Sequence, residues 1–218
     1  MPAVAAALRA NHVAEPFRAG GSPGSLTIVG AAKTYGNDQQ IFGQGEATDY
    51  VYRVVSGAVR SFRVLADGRR QIDDFYLPGD VFGVELDVER SETAEAVGEV
   101  VVVAARRATI ASDPEQAAKL WRHALGELSR SREHALTLGR RSASERVASF
   151  LIDLNARLGA DGELELPMSR QDMADYLGLT IETVSRTMTQ LQGQRLIQLN
   201  GCRRVRLSRL SALVELCE

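Results

Sequence analysis

The sequence predicts an α+β protein in which a β jelly roll is followed by a long helix and then by a winged helix-turn-helix. Short strand-like runs fill residues 26–108, a helical pattern extends from Pro114 to about Leu138, and two short helices flank a turn within Met168–Gln192. Short strands at regular spacing are typical of a sandwich or a jelly roll. The helical segments that follow them complete the α+β class.

The 218 residues divide into four expected segments. They are a flexible N-terminal segment at 1–25, a roll at 26–112, a dimerisation helix at 113–139 and a winged helix-turn-helix at 140–218. The first segment carries the connector-like sequence Gly20-Gly21-Ser22-Pro23-Gly24, which favours a flexible chain.

Four runs that are rich in Val, Tyr, Phe and Ile predict strands of the roll. These runs are Tyr50–Val55, Ala58–Leu65, Gln71–Leu77 and Val97–Ala104. The turn signals that separate them are Ser56-Gly57, Asp67-Gly68, Pro78-Gly79-Asp80 and Gly98. Because Asp-Gly between two such runs is a strong hairpin signal, we expect a hairpin at Asp67-Gly68.

The predicted long helix carries an apolar seam. Four apolar residues fall on one stripe of the helix: Trp121, Leu125, Leu128 and Ala135. Leu138 lies beside this stripe. Such a seam suits pairing with a second helix, as in a coiled coil. A helix that packs on its own domain has the same pattern, so the residues alone leave both interpretations open.

A hinge is predicted at Gly139-Arg140-Arg141, just before the C-terminal segment. Ser142 and Glu145 then have the spacing of a capping box, which indicates the start of a new helix. We expect a short strand at Leu164–Leu166 and, near the C-terminus, a wing hairpin that turns at Asn200-Gly201.

Between these elements, Met168–Gln192 predicts two helices around a tight turn. Ser169 and Asp172 have capping-box spacing, and Gly178 can adopt the left-handed conformation that ends the first helix. Thr180 can cap the second helix. The residues of this second helix that should face the core recur at helical spacing: Val184, Met188 and Leu191.

Three polar residues near the start of the second helix share one exposed face, because they stand at i, i+3 and i+4: Glu182, Ser185 and Arg186. A helix-turn-helix inserts this end of its second helix into the DNA major groove. There Arg186 can donate to guanine, Glu182 can accept from the amino group of cytosine, and Ile181 can contact a thymine methyl group. The alternative is a helical hairpin whose Glu182–Arg186 pair is only an exposed salt bridge.

Further residues of the motif and of the wing are candidates for contacts with DNA phosphates. They are Ser169, Arg170, Thr180, Thr183, Arg203 and Arg204. Phosphate contacts position a protein on the duplex without reading its sequence. For any one wing arginine, a solvated charge on an edge strand is the alternative explanation.

The run Glu182-Thr183-Val184-Ser185-Arg186 resembles the Glu-x-x-Ser-Arg recognition pattern of the FNR and FixK branches of the CRP/FNR superfamily of bacterial transcription factors. In the roll, Gly43-x-Gly45-Glu46, Val55-Ser56-Gly57-x-Val59 and Leu77-Pro78-Gly79-Asp80-Val81-Phe82-Gly83 are similar to the cyclic-nucleotide-binding-like roll of the same family. The resemblance spans roughly residues 35–215.

This resemblance implies a homodimer that is paired through the long helix and that binds double-stranded DNA and RNA polymerase. It assigns base reading to Glu182, Ser185 and Arg186. The FixK branch implies a TTGA-N6-TCAA-like palindrome and the control of genes for low-oxygen respiration or nitrogen fixation. The sequence leaves the target genes open, and also whether they are activated or repressed.

The residues available for an effector are few, so we expect no cofactor. An FNR-type iron–sulfur cluster needs four thiolates, and the only cysteines are Cys202 and Cys217; a haem needs an axial His or Cys, and the roll contains no His. Gly83-Val84-Glu85-Leu86 and Arg90-Ser91 resemble a cyclic-nucleotide phosphate cassette, but their separation is short and Glu92 adds negative charge. We expect a roll that mainly shapes the dimer; the alternative is a regulator gated by a cyclic nucleotide.

The overall composition narrows the class of protein further. The formal net charge of −2 does not indicate a polyanion partner, so the DNA prediction depends on the motif. Two cysteines without a disulfide framework fit a cytoplasmic protein, and no apolar run reaches the ~18 residues that a membrane span needs. No nucleophile–base pair or metal-ligand cluster indicates an enzyme. Cys202 beside Arg203 is a candidate redox-sensitive thiol, with an ordinary turn residue as the alternative.

Overall fold

A computed structural model describes residues 17–18 and 26–217 of the chain. The predicted flexible segment at 1–25 therefore lies almost entirely outside the described residues. Its one described element is the two-residue strand β1 (Phe17–Arg18), which pairs antiparallel with β2 (Val29–Gly30).

The roll is an antiparallel β structure, as predicted. Its remaining strands are β3 (Ala32–Tyr35), β4 (Gln40–Phe42), β5 (Tyr50–Val64), β6 (Arg70–Tyr76), β7 (Val81–Phe82) and β8 (Thr93–Arg106). The strand order is β3-β8-β5-β6, with β4 paired to β8 and β7 paired to β5. Stacked rings fill its interior, with the centroid of Phe82 5.2 Å from Tyr52 and 5.1 Å from Tyr76.

Two of the predicted turns in the roll are wrong. Ser56-Gly57 lies inside the single strand β5, where the register against β8 shifts, and Gly98 lies inside β8. Gly57 has φ 80°, and a Cβ there would approach the carbonyl oxygen of Glu99 to 2.3 Å. A β-bulge therefore selects glycine for the same conformational reason as a turn does. The hairpin at Asp67-Gly68 is confirmed, since β5 and β6 pair up to Val64–Arg70.

Two helices follow the roll. They are the short α1 (Arg107–Ala111) and the long α2 (Pro114–Arg140), which begins at the N-cap Asp113. α2 is held against the roll near its start, where Nε2 of His123 lies 3.1 Å from the carbonyl oxygen of Val81. The helix continues two residues past the predicted end, and the backbone becomes extended only at Arg141, so the turn lies at the last residue of the predicted hinge.

The C-terminal part is a winged helix-turn-helix. Its elements are α3 (Ala143–Leu158), β9 (Glu163–Glu165), α4 (Arg170–Leu177), α5 (Ile181–Gly193), β10 (Ile197–Asn200), β11 (Arg204–Leu207) and α6 (Leu210–Glu215). The predicted caps are confirmed: Ser142 and Ser169 each form a capping box, Thr180 accepts a hydrogen bond from the N–H of Thr183, and Gly178 is left-handed at φ 61°.

The wing differs from its predicted form in two details. Asn200 lies within β10 opposite Arg204, so the turn is a three-residue loop at 201–203 rather than a two-residue turn at Asn200-Gly201. The strand predicted at Leu164–Leu166 is β9, which begins and ends one residue earlier and pairs with β11 as the third strand of the wing sheet.

The roll and the winged helix-turn-helix share one apolar cluster. Ala58, Phe62, Ile72, Phe75, Leu77 and Val97 of the roll belong to the same buried cluster as the interior of α3, α4 and α5. The ring of Phe75 lies 6.1 Å from Phe150 of α3 and 5.4 Å from Tyr176 of α4. The outer face of hairpin β5–β6 is thus covered by the winged helix-turn-helix. Within the described residues, none of the helices combines the length and the apolar character required to cross a membrane.

Candidate nucleic-acid interface

Helix α5 is held by its apolar face and presents its polar face to solvent. Val184, Met188 and Leu191 are between 0% and 1% exposed, as their spacing predicts. Thr180 caps the helix by accepting from the N–H of Thr183 at 3.2 Å. The rotation of the helix about its own axis is therefore fixed, and its opposite face does not contact the protein core.

That opposite face carries the residues that were predicted to read bases. Glu182, Ser185 and Arg186 are all exposed and lie within the first two turns of α5, at the spacing that puts them on one side. Ile181, at the first helical position, is 37% exposed, so its side chain is available for contact with a thymine methyl group.

The carboxyl of Glu182 is held in its ionised form. Its pKa is lowered chiefly because its own backbone N–H donates to it, then by the Thr180 hydroxyl, with a smaller effect from the charge of Arg186. The side chain therefore accepts hydrogen bonds at neutral pH, which is the role that a cytosine amino group requires.

The candidate phosphate contacts at the helix starts are already used in capping. The hydroxyl of Ser169 accepts from the N–H of Asp172 at 3.0 Å and donates to its carboxylate at 2.7 Å. The hydroxyls of Thr180 and Thr183 lie 3.1 Å apart. Arg170 is half-buried, with Nη1 3.2 Å from the sulfur of Met173, and burial lowers the pKa of its guanidinium.

The wing carries three arginines in different surroundings: Arg203 lies in the loop, and Arg204 and Arg206 lie on β11, which is the central strand of the wing sheet and not the edge strand considered above. Arg203 donates to the carbonyl oxygen of Pro167 at 3.1 Å, and Arg206 pairs with Glu163 at 3.0 Å. Arg204 is exposed and lies opposite Glu165 in the strand register. Cys202 is exposed in the loop at the tip of the wing.

The predicted seam of α2 is divided between solvent and the protein interior. Trp121 is 58% exposed, Leu125 46% and Leu128 47%, and Ala135 is also exposed. Leu138 differs: it is half-buried beside Gly178, which matches its place roughly 100° around the helix from the other seam residues. Leu136, which the predicted seam omits, is 59% exposed and projects from nearly the same side of the helix as Leu125, about three turns away.

The segment of the roll that resembles a phosphate cassette is occupied by the protein's own groups. Arg90 is 2% exposed; Nη1 donates to the carbonyl oxygen of Gly83 at 2.7 Å, and Nη2 donates to that of Tyr50. The carboxylate of Glu85 accepts from the backbone N–H of Ser91 at 2.7 Å and lies 3.5 Å from Nη1 of Arg90. Among the described residues, no group of three or more His, Cys, Asp or Glu side chains could hold a metal ion.

The fold defines a class: a winged helix-turn-helix protein, which is a class of DNA-binding proteins. Comparisons with known proteins place it more narrowly. Residues 145–216 match the Crp-like helix-turn-helix domain, and residues 32–112 match the cyclic nucleotide-binding domain.

Relatives of known name agree with both domain matches. The chain is 47% identical to the nitrogen fixation regulation protein FixK of Azorhizobium caulinodans over 197 residues, which cover 86% of this chain and 79% of the relative. It is 45% identical to the protein of the same name from Rhizobium meliloti, over 84% of this chain and 86% of the relative.

A solved structure shares the whole architecture. The structure of FixK2 from Bradyrhizobium japonicum matches with a TM-score of 0.84 and 44% identity, covering 88% of this chain and 98% of that one. The chain belongs to the CRP/FNR family of transcriptional regulators, in its FixK-like branch. It is a DNA-binding regulator of transcription and not an enzyme.

Proposed function

We propose that this protein is a homodimeric regulator that binds a TTGA-N6-TCAA-like palindrome through Glu182, Ser185, Arg186 and Ile181, without an obligate small-molecule effector. The observation that carries the proposal is the exposed polar face at the start of α5, held in register by a capped and buried opposite face. In each half-site, Arg186 donates to guanine while Glu182 accepts from a cytosine amino group.

Phosphate contacts come mainly from the wing and from the start of α4. Arg204 is exposed, and Arg203 lies beside it at the tip of the wing. Both the hydroxyl and the backbone N–H of Ser169 donate to Asp172, so Ser169 must give up one of these bonds to meet a phosphate. The hydroxyls of Thr180 and Thr183 share one hydrogen bond, which leaves one of the two O–H groups to donate to a phosphate. Arg170 adds a positive charge in the first turn of α4, where the helix dipole also favours an anion.

The dimer forms through α2. Trp121, Leu125, Leu128 and Leu136 are each between 46% and 59% exposed and share one face of the helix. A second α2 packed on this face buries all four side chains, with Ala135 between them and Leu138 at the edge. Two recognition helices that are related by the dimer axis then enter successive major grooves, about 34 Å apart.

The cassette of the roll supports activity without an effector. Both terminal nitrogens of Arg90 are already bonded to protein oxygens, and the carboxylate of Glu85 lies where an anionic ligand would meet Arg90 and the N–H of Ser91. A cyclic phosphate would have to displace that carboxylate, and Glu92 nearby would repel it once ionised. The alternative, a regulator gated by a cyclic nucleotide, rests on the match of residues 32–112 to the cyclic nucleotide-binding domain.

The biological setting follows from the relatives. Proteins named for the regulation of nitrogen fixation are 43% to 47% identical to this chain, and a related protein from Rhodopseudomonas palustris is named a transcriptional activatory protein. We infer that this protein activates genes of nitrogen fixation or low-oxygen metabolism by recruiting RNA polymerase to DNA in the bacterial cytoplasm.

Fluorescence anisotropy tests the proposal with the purified full chain and no added effector. The expected result is tight binding to a TTGA-N6-TCAA duplex and a loss of about 1–3 kcal/mol for each base pair swapped in a half-site. Equal affinity for the palindrome and for swapped duplexes would contradict the proposal. Calorimetry with cyclic AMP and cyclic GMP tests the alternative, which requires heat of binding and an increase in DNA affinity.

A further inference from the structure

A buried cluster of charges fastens the winged helix-turn-helix to the roll, and Asp172 is at its centre. One carboxylate oxygen, Oδ1, accepts from Nη1 of Arg60 at 3.1 Å and from Nη2 of Arg70 at 2.7 Å; both arginines lie on hairpin β5–β6. The other oxygen, Oδ2, accepts from the backbone N–H of Ser169 at 3.0 Å and from its hydroxyl at 2.7 Å. A single carboxylate therefore joins the roll to the first turn of the helix-turn-helix.

The cluster is closed by further partners on each side. Nε of Arg70 donates to Asp175 of α4 at 2.9 Å. Nη2 of Arg60 bonds at 2.7 Å to each of two carboxylates of the roll, Asp38 and Glu95. The side chains of Arg60 and Asp172 are only 8% and 5% exposed. Since separating buried charges leaves them without partners, these bonds hold α4 at one position on the hairpin.

This cluster is one of several polar attachments of the winged helix-turn-helix. Arg146 of α3 donates to the carbonyl oxygen of Leu138 at 2.7 Å, and so ties the winged helix-turn-helix to the end of α2. The start of α2 is in turn held to the roll through His123 and Val81. Arg157, also on α3, donates to Asp80 of the roll at 2.8 Å. The Asp172 cluster instead fastens α4, the helix directly before α5, and so constrains the angle of α5.

We propose that Asp172, Arg60 and Arg70 are positioning residues: they set the angle of α5 to the dimer axis, and thereby the base-pair spacing between half-sites that the protein accepts. This inference rests on the proposed function, because it requires two subunits on one palindrome. Inserting one base pair moves a half-site by about 3.4 Å and turns it by about 35° around the DNA. A recognition helix held at one angle fits one half-site spacing. A recognition helix whose angle can change also fits spacings that are one base pair shorter or longer.

The test compares the palindrome with duplexes whose spacer is one base pair shorter or longer. The variants are Arg60→Met, Arg70→Met and the double variant, all of which leave the capping box of Asp172 and Ser169 intact. Arg63→Met is the matched control, since Arg63 lies on the same strand but pairs with Asp73 of the roll itself at 3.0 Å. The Kd of each full-length protein is measured for the three spacings and for a base-swapped half-site.

We expect the wild type and Arg63→Met to prefer one spacing by about fivefold or more. We expect the double variant to lose most of this preference, with each single variant intermediate, while the discrimination against swapped bases stays within about twofold. Variants that keep the spacing preference would overturn the inference, as would a parallel loss of base and spacing discrimination, which indicates mere unfolding. A wild type indifferent to half-site sequence would instead contradict the proposed function and remove the inference with it.

Discussion

At the scale of single residues, the proposed interface assigns base reading to α5 and phosphate contacts mainly to the wing. Glu182 is ionised and Arg186 stands one turn further along the same face, so that a guanine–cytosine pair offers partners to both. The wing arginines lie on a different element and have no comparable geometry for bases. Specificity and general affinity should therefore respond to different substitutions.

Arg186→Ala should cost about 1–3 kcal/mol per half-site and relax the preference at the guanine it contacts. Arg204→Ala is the matched control: it should weaken all duplexes alike and reduce the slope of log Kd against log salt by about 1 for each phosphate that the arginine neutralises. Anisotropy titrations at several salt concentrations measure both effects. Unchanged base preference in the Arg186 variant would contradict its role.

Glu92 makes the stability of the roll depend on pH. Its pKa is raised to about 8, first because burial disfavours the charged form and then because Asp73 and Glu85 repel it, against a hydrogen bond from Ser61 and the charge of Arg63. The folded protein thus keeps a proton that the unfolded chain releases near its ordinary value of 4.5. The stabilisation is complete below that pH and is lost as the pH rises through about 8.

Glu92→Gln should therefore match the wild type near pH 4.5 and exceed it by about 1–3 kcal/mol near pH 9. Urea unfolding across this range measures the difference. Glu89→Gln, which alters an exposed carboxylate of the same loop, is the control and should change nothing. Asp74 retains its own pH dependence, because burial raises its pKa to about 6. Parallel curves for the wild type and Glu92→Gln would show that this carboxyl is not the cause.

Cys202 is the exposed thiol at the tip of the wing, next to Arg203 and Arg204. Oxidation to a sulfenate or sulfinate would place negative charge where DNA phosphates approach, so peroxide should lower operator affinity. Cys202→Ser should be resistant to this loss, as measured by anisotropy before and after peroxide. If both proteins lose affinity equally, another group is responsible.

At the scale of elements, α2 carries the face on which the proposed dimer depends. Leu125→Glu combined with Leu128→Glu places two charges in the middle of this face, where a partner helix would leave them without water. We expect a monomer by analytical ultracentrifugation and a loss of cooperative binding to the palindrome. Leu86→Glu is the control, since Leu86 is 88% exposed and lies on the roll rather than on α2. A double variant that remains dimeric would exclude this face.

At the scale of the whole molecule, the shared apolar cluster makes the roll and the winged helix-turn-helix unfold together. Phe75 is 1% exposed and contacts rings of both α3 and α4. Phe75→Ala should cost about 3–5 kcal/mol and divide one thermal transition into two, because it weakens the joint more than either part. Phe82→Ala, which removes a ring from the interior of the roll, should lower the Tm with a single transition. Calorimetry distinguishes these outcomes, and a single transition for Phe75→Ala would contradict the coupling.

Several local features were predictable because they depend on residues a few positions apart. The caps at Ser142, Ser169 and Thr180 and the left-handed Gly178 all follow from such short-range patterns. The errors arose where one local signal has two structural outcomes. Glycine at a bulge and glycine at a turn have the same backbone requirement, so Gly57 and Gly98 indicated breaks in strands that continue through them.

By itself the sequence determined the order of the elements, their caps and the polar face of α5, since each depends on periodicity and on neighbouring side chains. Only the tertiary structure decided that Arg60 and Arg70 meet Asp172, 112 and 102 residues away in the chain, and that Glu85 fills the cassette beside Arg90. Contacts of this kind depend on how distant segments pack, and no local pattern encodes that packing. Arg60, inside the largely apolar run Ala58–Leu65, was the sign available in the sequence that a charged partner would cover this strand.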